Sequence, residues 1–266
     1  SLVSALQISS PDEVYNLGAM SHVKISFDIP IYTGDITGLG AARILEGIRK
    51  MSLTKKTKFY QASSSEMFGT TPPPQSENSF FNPVSPYGCA KLYAYNMTKA
   101  YRTAYGMFAA NGILFNHESE RRGVNFVTRK ITQGAARIKL GLQDKLVLGN
   151  LDAKRDWGHA RDYMEAIHMI MQHDKPEDWV VATGEYHTVR EFLLAVFDYF
   201  KLDWKKYVVI DDMYTRPNEV PALLGDSTII KNALGWKPKV SFKELVKLMC
   251  DSDYEKEKST LVPVKK

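Results

Sequence analysis

The chain has 266 residues, 44% of them hydrophobic and 24% charged, which is enough to build a core in one large domain or two interleaved ones and excludes a disordered chain. Its formal net charge of +5 comes from Lys and Arg scattered along the chain rather than gathered in basic blocks, which disfavours nucleic acid and suits a small anionic substrate. Cys89 and Cys250 stand far apart with no CxxC or Cys/His spacing, so neither a disulfide framework nor a zinc site is expected, and a reducing, cytoplasmic setting is.

Leu2, Val3, Leu6 and Ile8 read as one face of a helix that ends at Ser9-Ser10-Pro11, and Glu13 to Leu17 as a strand running into Gly18-Ala19. The opening segment has no basic flank, and no apolar run in the chain approaches the roughly 20 residues of a bilayer span, so a soluble protein without a membrane partner is expected. A helix is predicted from Leu39 to Lys50 and a strand from Thr57 to Ser63, an alternation that argues for βαβ units and a parallel sheet.

Ser85-Pro86 starts the next helix, which stops at Gly106, and Met107 to Phe115 follows as a buried strand. Residues Asn116 to Asn125 read as irregular, Phe126 to Leu140 as a helix, and LGNLDAKRDWGH as a turn-rich stretch. Asp162 is expected to cap a helix through His173, with Trp179 to Thr183 as the next strand. His168 and His173 lie five apart on that helix and diverge, no HExxH occurs, and no metal is expected. A helix led by Thr188 to Phe200, another from Ile229 to Leu234, and a Ser241-x-x-Glu244 capping box before a final helix complete the chain.

Ligands of an open α/β sheet gather at the carboxyl ends of its strands, where Ala19-Met20-Ser21, Ser64 to Glu66 and Asn116-His117 all fall. Tyr87 and Lys91 are four apart on a predicted helix and share a face, so the ammonium is expected to lower the phenol from its usual pKa of about 10 and make it a general base. Ser64 can hydrogen-bond the alcohol that Tyr87 deprotonates. Glu66 caps a turn or, beside a newly formed ketone, removes the proton α to it, which leads on to elimination. A bare YxxxK also occurs on ordinary helices, so these residues need wider context.

That context is a resemblance over essentially the whole chain. YNLGAMSHVKISFD, YQASSSEMFG, SPYGCAKLYAY, NGILFNHES and GNLDAKRDWGHARDY resemble segments of the GDP-mannose 4,6-dehydratases, a family of extended short-chain dehydrogenases/reductases. The resemblance implies a Rossmann-like doubly wound α/β sheet, N-terminally incomplete here, with a smaller, mainly C-terminal α/β substrate domain. On this reading residues 1–116 form a partial dinucleotide-binding domain to which 155–185 return, and 117–154 with 186–266 bind substrate.

The resemblance also implies oxidation of GDP-mannose at C4 by NADP, loss of water across C5 and C6, and return of the hydride to C6. Ser64 would hold the 4-hydroxyl, Glu66 take the C5 proton, Tyr87 act as base at O4, and Lys91 hold the nicotinamide ribose. Leu17, Gly18, Ala19, Met20, Ser21, Tyr32, His117 and Arg122 would line the cofactor, and Asn116, Lys130, Arg155, Arg216 and Glu219 the nucleotide sugar. A homodimer or homotetramer is implied.

The family opens with a strand, a Gly-rich turn and a helix that hold the cofactor pyrophosphate. Gly34, Gly38 and Gly40 give neither G-x-x-G-x-x-G nor G-x-G-x-x-G, so the ribose-phosphate-selecting loop is absent from this sequence and NAD is not excluded. Three explanations are open: a fragment of a longer enzyme, a short product that is inactive or serves as a non-catalytic partner of a full-length subunit, or a short form that binds cofactor by other means. The chain alone is expected to bind NADP weakly and to aggregate through an uncovered sheet edge. A related sugar epimerase or decarboxylase would use Tyr87 and Lys91 and leave Glu66 idle.

Overall fold

The computed structural model describes residues 2–211, 213 and 217–261. Helix α1 (Leu2–Ser9) and strand β1 (Glu13–Asn16) open the chain. Of the expected apolar face of α1 only Leu6 is buried, and Ile8 is 87% exposed. Two residues beyond Leu6 a helix has turned by roughly 200°, which carries Ile8 to the opposite side.

Short helices α2 (Val23–Asp28) and α3 (Pro30–Thr33) follow, and a π-helical turn over Gly34–Leu39 joins α3 to α4 (Gly40–Lys50). Helix therefore begins well before Leu39. Gly38 makes this run possible against its neighbour, because a Cβ there would lie 3.3 Å from the Tyr93 ring and 3.4 Å from the Ala90 carbonyl oxygen.

Strand β2 (Lys58–Ser64) leads through a 3-10 turn (Ser65–Met67) towards α5 (Pro86–Tyr105), then β3 (Ala109–Leu114) and the short β4 (Asn116–Glu118). Ser85 caps α5 by accepting from the Gly88 amide at 3.0 Å, with Pro86 at the first helical position, and Gly106 ends it in the left-handed conformation.

Helix α6 (Val127–Lys139) and strands β5 (Leu146–Leu148), β6 (Lys154–Arg155) and β7 (Trp157–His159) precede α7 (Ala160–Gln172). The stretches expected to be irregular thus hold three short strands, β4, β6 and β7, each two or three residues long and too short for any periodicity to register. They are made by pairing: β4 lies parallel to β7, and Asn116 faces Trp157.

Asp162 does not cap α7. His159 holds that position and accepts from the Arg161 amide at 3.1 Å. Asp162 sits further into the first turn, and its carboxylate accepts instead from the amides of Lys239 at 2.8 Å and Val240 at 3.0 Å.

The rest comprises β8 (Asp178–Val181), β9 (His187–Thr188), α8 (Val189–Tyr199), α9 (Trp204–Tyr207), β10 (Val208–Ile210), α10 (Thr228–Leu234) and α11 (Phe242–Ser259). Thr188 and Glu191 close a full capping box on α8, and Ser241 accepts from the Glu244 amide at 3.3 Å on α11.

Strands β1, β2, β3 and β8 form a parallel sheet in the order β1-β2-β3-β8. Alternation along β2 sends Phe59 to one face, against Leu6, Leu45 and Ile48, and Tyr60 to the other, against Tyr163, Ile167 and Trp179. Helices cover both faces, as in a doubly wound α/β fold. A separate apolar core gathers α6, α8 and α11 around Phe192, Phe197, Leu245 and Met249, with β5 and β10 paired at its margin. Among the described residues no helix is long and apolar enough to cross a membrane, and no group of three or more His, Cys, Asp and Glu side chains is arranged to hold a metal ion.

Candidate active site

Strand β2 is buried from Phe59 onward and delivers Ser64 at its carboxyl end, where the Glu66 amide donates to the Ser64 hydroxyl oxygen at 3.2 Å and tightens the turn. This local closure places two polar side chains, Ser64 and Glu66, 8% and 7% exposed, at the carboxyl end of the sheet.

Helix α5 brings the other pair. The Tyr87 amide donates to the hydroxyl of Ser26 on α2 at 3.3 Å, which anchors the helix start. Gly88 lets that start come close, since a Cβ there would lie 2.7 Å from the Glu66 carbonyl oxygen. One turn on, the Lys91 ammonium donates to the Ala62 carbonyl oxygen at 2.6 Å and stands 5.8 Å from the centre of the Tyr87 ring. The Ser64 hydroxyl hydrogen-bonds the Tyr87 phenol.

Burial governs the electrostatics. It pushes the Tyr87 phenol up to about 12, with the Glu66 charge adding to the rise and the Ser64 hydrogen bond and Arg122 opposing it. Burial also brings Lys91 down to about 8. The expected lowering of Tyr87 by its lysine is therefore reversed in this structure: removing both groups from water disfavours phenolate and ammonium alike. His117 is held down at about 4 by burial and is neutral at pH 7. Its Nδ1 lies 2.8 Å from the Phe115 carbonyl oxygen, so Nδ1 carries the proton, and the ring stacks on Tyr163 at 5.0 Å.

A cavity of about 840 Å³ spans the carboxyl ends of β1, β2 and β3 and the start of α6. Ser64, Glu66, Tyr87 and Lys91 line it together with Leu17, Ala19, Ser21, Asn116, His117, Arg122, Lys130, Arg155 and Glu219. Gly18 and Met20 are not among its lining residues, and the Met20 amide donates to Thr37 at 3.1 Å. Tyr32 lies on α3, 55% exposed, and is not among the cavity's lining residues. Arg216 lies outside the described residues.

Arg155 donates to Glu219 at 2.7 Å and to the Val220 carbonyl at 2.8 Å, which ties the wall from β6 to the segment after residue 216. Arg122 pairs with the buried Glu118 at 3.1 Å, and its guanidinium lies 3.5 Å over the Phe126 ring. Sequence reasoning missed Ser26, Glu118 and Lys24, the last two also lining the cavity. Glu118 stands within the NGILFNHES segment and Lys24 within YNLGAMSHVKISFD, but nothing in their spacing distinguishes either from a surface charge.

The donor set fits a nicotinamide cofactor. Leu17 and Ala19 give an apolar wall at the end of β1, and Lys91, fixed on Ala62, offers a buried cation beside a phenol and a hydroxyl.

A family model described as GDP-mannose 4,6 dehydratase matches residues 1–249. GDP-mannose 4,6 dehydratase 2 of Arabidopsis thaliana is 58% identical over 252 residues, covering 94% of this chain and 68% of the plant protein. The human GDP-mannose 4,6 dehydratase is 50% identical, covering 96% and 73%, and that of Vibrio cholerae 48% identical, covering 94% and 74%.

Among solved structures, RMD of Pseudomonas aeruginosa with NADPH superposes with a TM-score of 0.84 at 24% identity, covering 92% of this chain and 82% of that one. DesIV, a dTDP-glucose 4,6-dehydratase of Streptomyces venezuelae with NAD and TYD bound, gives 0.82 at 20% identity, covering 99% and 79%. A UDP-glucose 4-epimerase of Thermotoga maritima gives 0.83 at 22% identity, covering 97% and 81%. These structures share the Rossmann-like fold, and epimerase and dehydratase fit it equally well. The sequence relatives do discriminate, and on their identity over nearly the whole chain, with the family model covering the same span, this chain belongs to the GDP-mannose 4,6-dehydratase family.

Proposed function

We propose that the chain acts as a GDP-mannose 4,6-dehydratase, a lyase that forms GDP-4-dehydro-6-deoxy-mannose and water, with the parallel-sheet unit holding cofactor and the α6-α8-α11 unit holding the nucleotide sugar. The observation that carries this reading is the convergence of Ser64, Glu66, Tyr87 and Lys91 in one cavity at the carboxyl ends of the strands. A simple alcohol dehydrogenase or an epimerase has no use for Glu66.

Ser64 holds O4 of the sugar by a hydrogen bond, and Tyr87 takes the O4 proton. Tyr87 needs cationic surroundings to do so at neutral pH, and Arg122 already acts in that direction. Lys91, steadied by the Ala62 carbonyl, fixes the cofactor ribose. NADP, which we take as the cofactor, would when bound supply the hydride acceptor for oxidation at C4 and the hydride donor for reduction at C6. Glu66 removes the proton from C5, now acidified by the neighbouring ketone, and delivers it to the C6 hydroxyl, which departs as water; as hydride returns to C6, C5 takes up a proton that balances the one Tyr87 removed from O4. Arg155, Lys130 and Asn116 hold the nucleotide sugar from the other wall, where charge-assisted hydrogen bonds suit a diphosphate.

We also propose a homo-oligomer. Ile31 at 85%, Tyr32 at 55% and Leu39 at 43% exposure lie along the α3-α4 run beside Tyr93 on α5, an apolar strip that a second copy would cover. The free thiols Cys89 and Cys250 suit a reducing cytoplasm.

The test is Glu66→Gln. Formation of the 4-dehydro-6-deoxy sugar from GDP-mannose should fall by about 10²- to 10⁴-fold, as for loss of a general base, while titration with GDP-mannose shows unchanged binding. Wild-type turnover in that variant would remove Glu66 from the chemistry, and conversion of UDP-sugars in place of GDP-mannose would favour the epimerase.

A further inference from the structure

Glu118 ends β4 only 1% exposed and still lines the cavity, a place where a carboxylate persists only if its charge is met. Two groups meet it on one oxygen. The Thr128 hydroxyl, in the first turn of α6, donates to Oε2 at 2.6 Å, and Nε of Arg122 lies 3.1 Å from the same atom. Burial raises the Glu118 carboxyl above its ordinary range, and Arg122 and then Thr128 act against that rise.

Arg122 is also gripped from a second side. Its guanidinium lies 3.5 Å over the Phe126 ring, and Phe126, which begins α6, packs at 5.3 Å on His22, the cap of α2. An arginine in a loop gives up its rotamer freedom only for fixed partners, and here a buried carboxylate and a packed ring supply them. The Arg122 charge acts on the Tyr87 phenol, against the rise that burial imposes, and adds to the fall that burial causes in His117.

We propose that Glu118 is a positioning residue of the active site: fixed by Thr128, it holds the Arg122 guanidinium in the cavity wall where its charge serves Tyr87. The proposal rests on the reading of Tyr87 as the base at O4. Lys91 does not replace Arg122, because burial brings that ammonium down to about 8, whereas a guanidinium stays charged. A bare negative charge at this place would oppose phenolate, so that its removal would raise activity. Positioning predicts the opposite sign.

The Nε–H resonance of Arg122 in heteronuclear NMR, identified by its loss in Arg122→Met, and steady-state kinetics with GDP-mannose and NADP test this. The resonance should be protected from exchange with water in the wild-type chain, weakened in Thr128→Val and lost in Glu118→Gln. The kcat of Glu118→Gln should fall about 10-fold, the effect of about one unit on the pKa of the base. Thr128→Val keeps the charge and removes the hydroxyl, and should lower kcat about 2- to 10-fold. KM for GDP-mannose should change less than about 3-fold in both, and Glu118→Gln should cost nothing further in the Arg122→Met background. An unchanged resonance in Glu118→Gln, an unchanged or raised kcat, or losses that add in full would overturn the proposal. Should the wild-type chain be inactive, the resonance still decides the role of Glu118, and the dehydratase reading falls by itself.

Discussion

Replacing Gly88 by alanine tests whether the catalytic group depends on how closely α5 approaches the turn after β2. The added Cβ would lie 2.7 Å from the Glu66 carbonyl oxygen and 3.0 Å from Cβ of Pro83, whereas ordinary contact begins at 3.4 Å, so helix and turn must part by about 0.7 Å. Neither neighbour is a flexible side-chain end: one is backbone and the other a proline ring. The displacement therefore falls on Tyr87 and Glu66 themselves.

A misplacement approaching 1 Å costs up to about 10²-fold in rate. Overpacking costs about 1–3 kcal/mol, and the gain of alanine over glycine in a helix offsets up to about 1 kcal/mol of it. We expect kcat to fall about 10- to 100-fold and Tm by about 2–4 °C for each net kcal/mol lost. KM for GDP-mannose should change less than about 3-fold, because Asn116, Lys130 and Arg155 stand on other elements. Steady-state kinetics with a thermal melt decide it. Wild-type kcat in Gly88→Ala would refute the claim that this close approach sets the geometry.

Lys91 titrates near 8 in the folded chain against an ordinary value of 10.5, so below pH 8 the folded state carries a burial penalty that disappears as pH rises from 8 to 10.5. Lys91→Met should accordingly be more stable at pH 7 by roughly 1–2 kcal/mol, after loss of the Ala62 hydrogen bond, with the advantage shrinking towards pH 10 in denaturant melts. Equal stability at both pH values would contradict the burial argument. Asp156, fully buried, accepts from the Thr183 amide and hydroxyl and from the amides of Gly184 and Gly225. Asp156→Asn turns an NH₂ towards those donors and should cost about 2–4 kcal/mol, read as a drop in the urea midpoint with unchanged slope. Thr188→Ala removes one half of the capping box on α8 and should cost about 1 kcal/mol by the same measurement.

Where structure follows from neighbours a few residues apart, it was legible in the sequence. Ser85-Pro86 and Gly106 bound α5 within a residue of expectation, and Thr188 with Glu191 marked the start of α8, because capping satisfies amides three positions away. The short strands β4, β6 and β7 escaped because each forms only when a distant segment supplies its hydrogen bonds. Asp162 shows the same limit from the other side. Its place early in a helix suggested a cap, but the chain near Lys239 offers it two amides that no local rule foresees.

The sequence by itself determined the α/β alternation, the family, and the residue types of the catalytic group, since these follow from periodicity, capping and long matching runs. Only the tertiary structure decided how those residues behave. It brought Glu66, on the turn after β2, to Gly88 on α5, joined the starts of α2 and α6 through His22 and Phe126, and raised Tyr87 where a lysine four residues away had suggested a lowered phenol. The reason is that desolvation and close approach depend on everything packed around a group, most of which is remote along the chain.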